Sequence, residues 1–101
     1  MDIMMYAKYI NGPAKVVVGK YGNGRIALQL VDAETGEPLC TATTNLVDHR
    51  LGDGCVFLKG WSENEGVPQS LVDAGVVEYT GRAEQAGYCH TDEYKLLIEV
   101  K

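Results

Sequence analysis

Clusters of turn-forming residues divide the chain into short segments, and this spacing constrains the fold more than any other feature of the sequence. The clearest clusters are Asn11-Gly12-Pro13, Tyr21-Gly22-Asn23-Gly24 and Asp32-Ala33-Glu34-Thr35-Gly36, which are rich in residues that suit turns. Apolar, aromatic or β-branched segments predict short strands at Met4–Ile10, Lys15–Lys20, Arg25–Val31, Leu39–Asn45, Cys55–Gly60, Val76–Thr80 and Glu93–Lys101. The first segment is ambiguous, because Met4-Met5 could also begin a helix. Strands joined by short turns predict a mainly antiparallel sheet.

Two of these segments carry the clearest strand signals. Gly36 suits the left-handed position of a hairpin loop and Pro38 the entry of the returning strand. In the last segment Tyr94, Leu96, Ile98 and Val100 alternate with Lys95, Leu97, Glu99 and Lys101. That alternation predicts a strand with one buried face. The polar stretch Gly81–Asp92 before it is interpreted as an irregular connection.

A single helix is predicted at about residues 65–74. Val67, Leu71 and Ala74 recur at helical spacing, and Gly75 suits the residue that follows a helix. Ser62 and Glu65 have the spacing of a capping box, but a helix starting there would place Pro68 too deep, so the regular part should begin nearer residues 65–67. The predicted fold is therefore α+β: a mainly antiparallel sheet of about five to seven short strands with this helix packed on one face.

Length, composition and charge limit the class of protein. A chain of 101 residues, 46% hydrophobic and 23% charged, fits a single globular domain over residues 1–101. The N-terminus lacks a secretion pattern and no apolar run could cross a bilayer, so we expect a cytoplasmic protein without membrane association. The net charge of −5 argues against direct nucleic-acid binding and favours a protein partner with a basic surface.

The cysteines and histidines carry two chemical alternatives. Three cysteines without a close pair favour reduced thiols. His49, Cys55, Cys89 and His90 lack the spacing of zinc ligands, so no metal or other cofactor is expected. A small hydrolase using Cys55 or Cys89 with His49 or His90 has the necessary residue types but no local signature.

The strongest candidate for a binding surface is the stretch between Lys59 and Arg82, which contains four acids and no lysine or arginine. Trp61 at its start could anchor a basic partner, since aromatic residues dominate binding energy and charges steer approach. Alternatively, the Trp61 ring packs inward and seals the junction of sheet and helix, while Glu63 and Glu65 form an ordinary solvated helix entry. The candidate partner-binding residues are Trp61, Glu63, Asn64, Glu65, Asp73 and Glu78.

A resemblance adds a biological setting. The motif Trp61-Ser62-Glu63-Asn64-Glu65-Gly66, together with Tyr21-Gly22-Asn23-Gly24-Arg25, Gly36-Glu37-Pro38, Asn45-Leu46 and Thr80-Gly81-Arg82, resembles an uncharacterised family of small bacterial proteins. The resemblance covers about residues 21–87 and implies a protein carried by plasmids, phages and conjugative elements. It brings no activity with it. The chain departs from the family at Val47 and Pro68, where the family more often has a proline and a helix former.

Together these features predict a non-enzymatic accessory protein of a mobile genetic element that acts by protein–protein binding. Inhibition of a host defence or nucleic-acid-handling protein would suit its acidic charge, because such proteins carry basic grooves. The alternatives are the cysteine-dependent hydrolase and a structural module that self-assembles through unpaired edge strands.

Overall fold

The computed structural model describes residues 2–46, 50–61, 64–86 and 89–98. These residues form eight strands and one helix: β1 (Asp2–Tyr6), β2 (Asn11–Lys20), β3 (Ile26–Asp32), β4 (Pro38–Thr41), β5 (Thr43–Thr44), β6 (Cys55–Leu58), α1 (Val67–Asp73), β7 (Val77–Ala86) and β8 (Cys89–Leu96). The strands pair antiparallel in two four-stranded sheets, ordered β1-β2-β3-β4 and β5-β6-β8-β7. The antiparallel pairing and the helix are confirmed, whereas the expectation of one sheet of five to seven strands is wrong.

The chain passes from one sheet to the other at Ala42, inside the segment predicted as a single strand. The N–H of Ala42 donates to the carbonyl of Leu28 at 2.8 Å, and its carbonyl accepts from the N–H of Lys59 at 2.9 Å. Thr43 reinforces the bend, because its hydroxyl accepts from the N–H of Leu28 at 3.2 Å. A strand that changes sheets makes a corner between two packed layers. Residue periodicity predicts a strand but does not reveal which neighbour each half pairs with.

The first turn lies four residues earlier than the sequence predicts. Ala7 donates its N–H to the carbonyl of Ile10 at 3.0 Å, and the predicted turn Asn11-Gly12-Pro13 belongs to strand β2. The carbonyl of Pro13 accepts a hydrogen bond from the N–H of Ala33 at 3.3 Å, so it points toward β3. The nitrogen of the same residue points the same way, away from β1, and lies beyond the last β2–β3 pair. The missing N–H therefore costs no hydrogen bond to β1.

The hairpin from Asp32 to Gly36 is confirmed. Gly36 has a φ of 78°, and its N–H donates to the carbonyl of Asp32 at 2.8 Å. In the preceding strand, Leu28 and Leu30 are fully buried and Ile26 packs against the core.

Residues 81–86 and 89–92 are strand rather than an irregular connection, because β7 and β8 pair through them, and residues 87 and 88 lie outside the described residues. A register shift between Tyr79 and Ala83, with Gly81 at a φ of 92°, allows this polar sequence to stay in the sheet. Strand β8 begins earlier than the predicted closing strand and ends at Leu96, and the predicted strand residues 99–101 lie outside the described residues. Its alternation is confirmed for Tyr94, which is buried, and Lys95, which is exposed.

Helix α1 ends in a Schellman motif. The N–H of Gly75, at a φ of 77°, donates to the carbonyl of Val72, and the N–H of Val76 donates to that of Leu71, both at 3.0 Å. The role predicted for Gly75 is confirmed. The helix begins at Val67, so that Pro68 lies in the first turn, where its missing N–H is harmless.

The helix does not cover the face of one sheet as predicted. It contacts β1 and β7, which are edge strands of different sheets. The two sheets are joined on one side through Ala42, and α1 closes the opposite side. The core between them is formed by buried residues from both sheets and the helix, among them Met5, Val16, Leu28, Leu30, Ala42, Val56, Leu58, Val67, Leu71, Val76 and Val77.

Candidate functional site

Asn64 is held in place by hydrogen bonds just before helix α1. This side chain is only 3% exposed, and its amide donates to the backbone carbonyl of Thr41 at 3.0 Å. The N–H of Asn64 donates to the carbonyl of Trp61 at 3.0 Å. Asn64 thus joins the chain before helix α1 to strand β4. Trp61 as a whole residue has intermediate exposure, and Glu63 lies outside the described residues.

Two of the remaining predicted acids lie close to cations in the described residues. Glu65 forms an ion pair with Lys8, with 3.3 Å between Oε2 and Nζ, and this hydrogen bond raises the pKa of Lys8. Glu78 lies directly opposite Lys95 in the β7–β8 register. Lys8 thus pairs with Glu65, and Lys95 is the cross-strand neighbour of Glu78. Asp73, another predicted acid, borders a cavity.

That cavity is a groove between strand β1 and helix α1, and we call it the β1–α1 groove. Its volume is about 340 Å³. Its lining residues come from both elements: Asp2, Ile3, Met4, Tyr6, Ser70, Asp73 and Ala74. The volume lies at the lower end of the range for ligand sites, about 300–1,000 Å³.

One wall of the groove is the outer edge of β1. The N–H of Tyr6 donates to the hydroxyl of Ser70 at 3.0 Å and so points away from β2. Backbone direction alternates along a strand, so the N–H and carbonyl of Met4 point the same way. The register agrees, because Met4 lies opposite Pro13, whose carbonyl faces β3. The groove therefore runs beside backbone groups at the edge of a sheet.

Apolar side chains and two carboxylates complete the groove. Met4 is 47% exposed and Tyr6 76% exposed, both well above the exposure of core residues. Asp2 and Asp73 are exposed acids on opposite walls. Asp73 also accepts a hydrogen bond from the amide of Gln69 at 2.9 Å, which orients it. The arrangement can hold an apolar or extended ligand beside negative charge.

A second cluster surrounds the buried carboxylate of Glu93, which is 3% exposed. Its oxygens accept hydrogen bonds from the hydroxyl of Thr80 at 2.9 Å, the guanidinium of Arg82 at 3.2 Å and the N–H of Gly52 at 3.2 Å. Buried charges of this kind are stable only when they are paired and hydrogen-bonded. Glu93 therefore joins strands β7 and β8 to the loop before β6, and its acceptor capacity is used within the protein.

Cys55 lies beside this cluster, and its surroundings disfavour a thiolate. Burial raises the pKa of the Cys55 thiol first, and the charge of Glu93 raises it further. A thiol nucleophile needs the opposite shift. His49 lies outside the described residues, and the side chains of Cys89 and His90 lie outside them too.

Two further findings apply to the described ranges alone. Within them, no group of three or more histidine, cysteine, aspartate or glutamate side chains is arranged to hold a metal ion. No helix in the same ranges has the length and apolar character that crossing a membrane requires.

The sequence prediction missed most of the groove. It identified Asp73 but not Asp2, Met4, Tyr6 or Ser70. A signal was present, because Met4 and Tyr6 alternate with Ile3 and Met5 and so place large side chains on both faces of a strand. What the pattern does not show is that β1 lies at the edge of its sheet, beside the helix.

Comparison of the chain with protein-family models, curated proteins and solved structures finds no match in any of the three.

Proposed function

We propose that the protein acts by binding another protein, and that its β1–α1 groove receives a basic part of the partner. The observation that carries this proposal is the combination of exposed Met4 and Tyr6 with Asp2 and Asp73 in one groove. Methionine and aromatic residues are enriched where interfaces bury apolar area, and they carry much of the binding energy. The carboxylates add selectivity for cationic partners.

The overall charge supports the same kind of partner. A net charge of −5 on 101 residues raises the rate of encounter with positively charged proteins. The resemblance of Trp61-Ser62-Glu63-Asn64-Glu65-Gly66 to proteins of plasmids, phages and conjugative elements supports a role as an accessory protein of a mobile element. Within that setting we propose inhibition of a host defence or nucleic-acid-handling protein as the biological outcome.

Capture of partners from a lysate of the native bacterial host, followed by direct binding measurements with each purified partner, tests the proposal. We expect Tyr6→Ala to weaken direct binding at least tenfold, because it removes exposed aromatic area from the groove. Asp73→Asn keeps the acceptor for Gln69 but removes the charge, so it should weaken binding less and reduce its dependence on salt.

Glu37→Gln supplies the matched control, because it removes the same charge from an exposed side chain on the β3–β4 hairpin. It should leave binding unchanged. If the groove variants and this control bind equally well, the groove is not the interface. If no partner is captured under any salt condition, the binding function itself loses its support.

A further inference from the structure

We propose that the groove binds an extended peptide segment carrying a lysine or arginine, which adds as a short strand to the outer edge of β1 beside Asp2 and Met4. This inference rests on the proposed function and specifies the form of the ligand. In strand addition, backbone hydrogen bonds supply affinity and pockets for alternate side chains supply selectivity.

The helix closes only part of the β1 edge. The N–H of Tyr6 is taken by Ser70 at 3.0 Å, and farther along, the N–H of Lys8 is taken by the carbonyl of Glu65 at 3.1 Å. Met4 and Asp2 instead line the groove that faces Asp73 and Ala74. The outward N–H and carbonyl of Met4 offer the donor and acceptor pair to which an added strand bonds.

The other edge strands are less suited to accept a strand. Strand β4 begins with Pro38, which has no N–H. Strand β5 has only two residues, and strand β7 is interrupted by the irregularity between Tyr79 and Ala83. Bulges, prolines and short length are the devices by which proteins protect sheet edges. Strand β1 is regular along its whole pairing with β2.

The dimensions and charges of the groove define the ligand. Three residues from Asp2 to Met4 span about 10 Å in extended conformation, so the site accommodates two or three ligand residues. A cationic side chain can reach Asp2 or Asp73, and its alkyl stem can lie against Met4 or Tyr6. A second copy of this chain is a poorer occupant, because it would bring a second charge of −5 and a second Asp2 to the same edge.

The test uses a seven-residue synthetic peptide of alternating valine and lysine, with two companions. The first companion carries N-methyl groups on the backbone nitrogens along one edge of the strand, and it is made in two versions, one for each edge. The second companion has glutamate in place of lysine. Binding is measured by amide chemical shifts and hydrogen exchange of the full chain. We expect slower exchange at the Met4 N–H on peptide binding, at least tenfold weaker binding for one methylated version, and no binding of the glutamate peptide.

Three results would overturn the inference. Binding that both methylated versions retain shows that side chains alone are recognised, and binding of the glutamate peptide removes the requirement for a cation. If sedimentation shows a dimer without peptide and hydrogen exchange shows that the Met4 N–H is already protected in it, a second copy of the chain is the occupant.

The two proposals fail separately. If Tyr6→Ala abolishes binding of a captured partner while the Met4 N–H exchanges unchanged in that complex, the protein-binding function stands and strand addition is wrong. If the valine–lysine peptide binds as expected but no variant of the groove affects capture of partners, strand addition stands and the proposed interface with a host protein is wrong.

Discussion

Ser70 on helix α1 accepts a hydrogen bond from the backbone N–H of Tyr6 on strand β1, with 3.0 Å between the hydroxyl oxygen and the nitrogen. The same hydroxyl lies 3.6 Å from the sulfur of Met5, to which it donates. One buried side chain thus joins the helix to the edge of the sheet. It marks the point at which the β1–α1 groove closes.

We expect Ser70→Ala to lower the free energy of unfolding by about 1–3 kcal/mol, because the N–H of Tyr6 would lose its acceptor in a partly buried position. Urea denaturation measures the change. Gln69→Ala on the exposed side of the same helix is the control, since it removes one exposed hydrogen bond to Asp73. Equal losses for the two variants would mean that the Ser70 contact does not hold the helix against β1.

Gly66 tests how closely the start of the helix approaches the first turn. Its φ is 85°, and an added Cβ would lie 3.3 Å from the Cα of Ala7. We expect Gly66→Ala to cost about 2–4 kcal/mol, from the left-handed backbone and the close contact together. Gly75→Ala has a similar φ of 77° but open space around it, so it should cost only about 1–2 kcal/mol.

Thermal or urea denaturation of both glycine variants separates the two contributions. A Gly66→Ala variant no less stable than Gly75→Ala would show that the segment before the helix does not press against Ala7. The docking of that segment on the β1–β2 turn, including the Lys8–Glu65 ion pair, would then have little structural importance.

Local chemistry made part of this fold predictable. Gly36 and Gly75 occupy positions where a positive φ is needed, and the sequence shows both needs directly because few other residues adopt that conformation. Pro68 likewise limited the start of the helix to the position observed. Signals of this kind act within a few residues, so one chain is enough to read them.

The relationships between distant segments were not predictable in the same way. The alternation around Ala42 is that of one strand, although its halves pair with β3 and with β6. Asp2 and Asp73 are 71 positions apart, and only the topology brings them to one groove. The acidic stretch after Lys59 suggested a single surface because its acids are neighbours in the sequence and no lysine or arginine lies between them. Pairing of Glu65 with Lys8 depends on tertiary contacts.

The Glu93 cluster gives a prediction about a buried charge. Arg82→Met leaves the carboxylate with Thr80 and the N–H of Gly52 but without its cation, so we expect a loss of about 1–3 kcal/mol. Combining Arg82→Met with Glu93→Gln should restore part of the loss, because the buried charge is removed as well. A double-mutant cycle by urea denaturation measures the coupling. Purely additive losses would show that the ion pair does not hold these strands together.

The surroundings of Cys55 predict that its thiol is alkylated slowly. Burial and the charge of Glu93 raise its pKa, so iodoacetamide at neutral pH should alkylate it more slowly than a small model thiol. A chain with serine at positions 40 and 89 isolates the reaction. Because the pKa of Cys55 is raised in the folded state, the protonated thiol contributes its full stability to the fold at pH values below the unfolded-state pKa. That contribution is lost as the pH rises through the folded-state pKa. Alkylation faster than the model thiol would instead favour the cysteine hydrolase.

Asp32 makes the β3–β4 hairpin sensitive to acid. One oxygen of its carboxylate accepts from the N–H of Thr35 at 3.0 Å and from the N–H of Glu34 at 2.8 Å, and these bonds, that of Thr35 first, lower the pKa of Asp32 below its ordinary 3.8. A lowered folded-state pKa means that the contribution is complete above the unfolded value and is lost as pH falls through the folded one. We therefore expect wild type to be more stable than Asp32→Ala at pH 6, with the difference shrinking toward pH 2–3.

Asp32→Asn is the control, because it keeps an acceptor oxygen but cannot titrate. It should be intermediate in stability at pH 6 and should approach or exceed wild type in acid. Urea denaturation of the three proteins across this pH range measures the differences, and a constant gap between wild type and Asp32→Ala would show that the charge of Asp32 does not stabilise the turn.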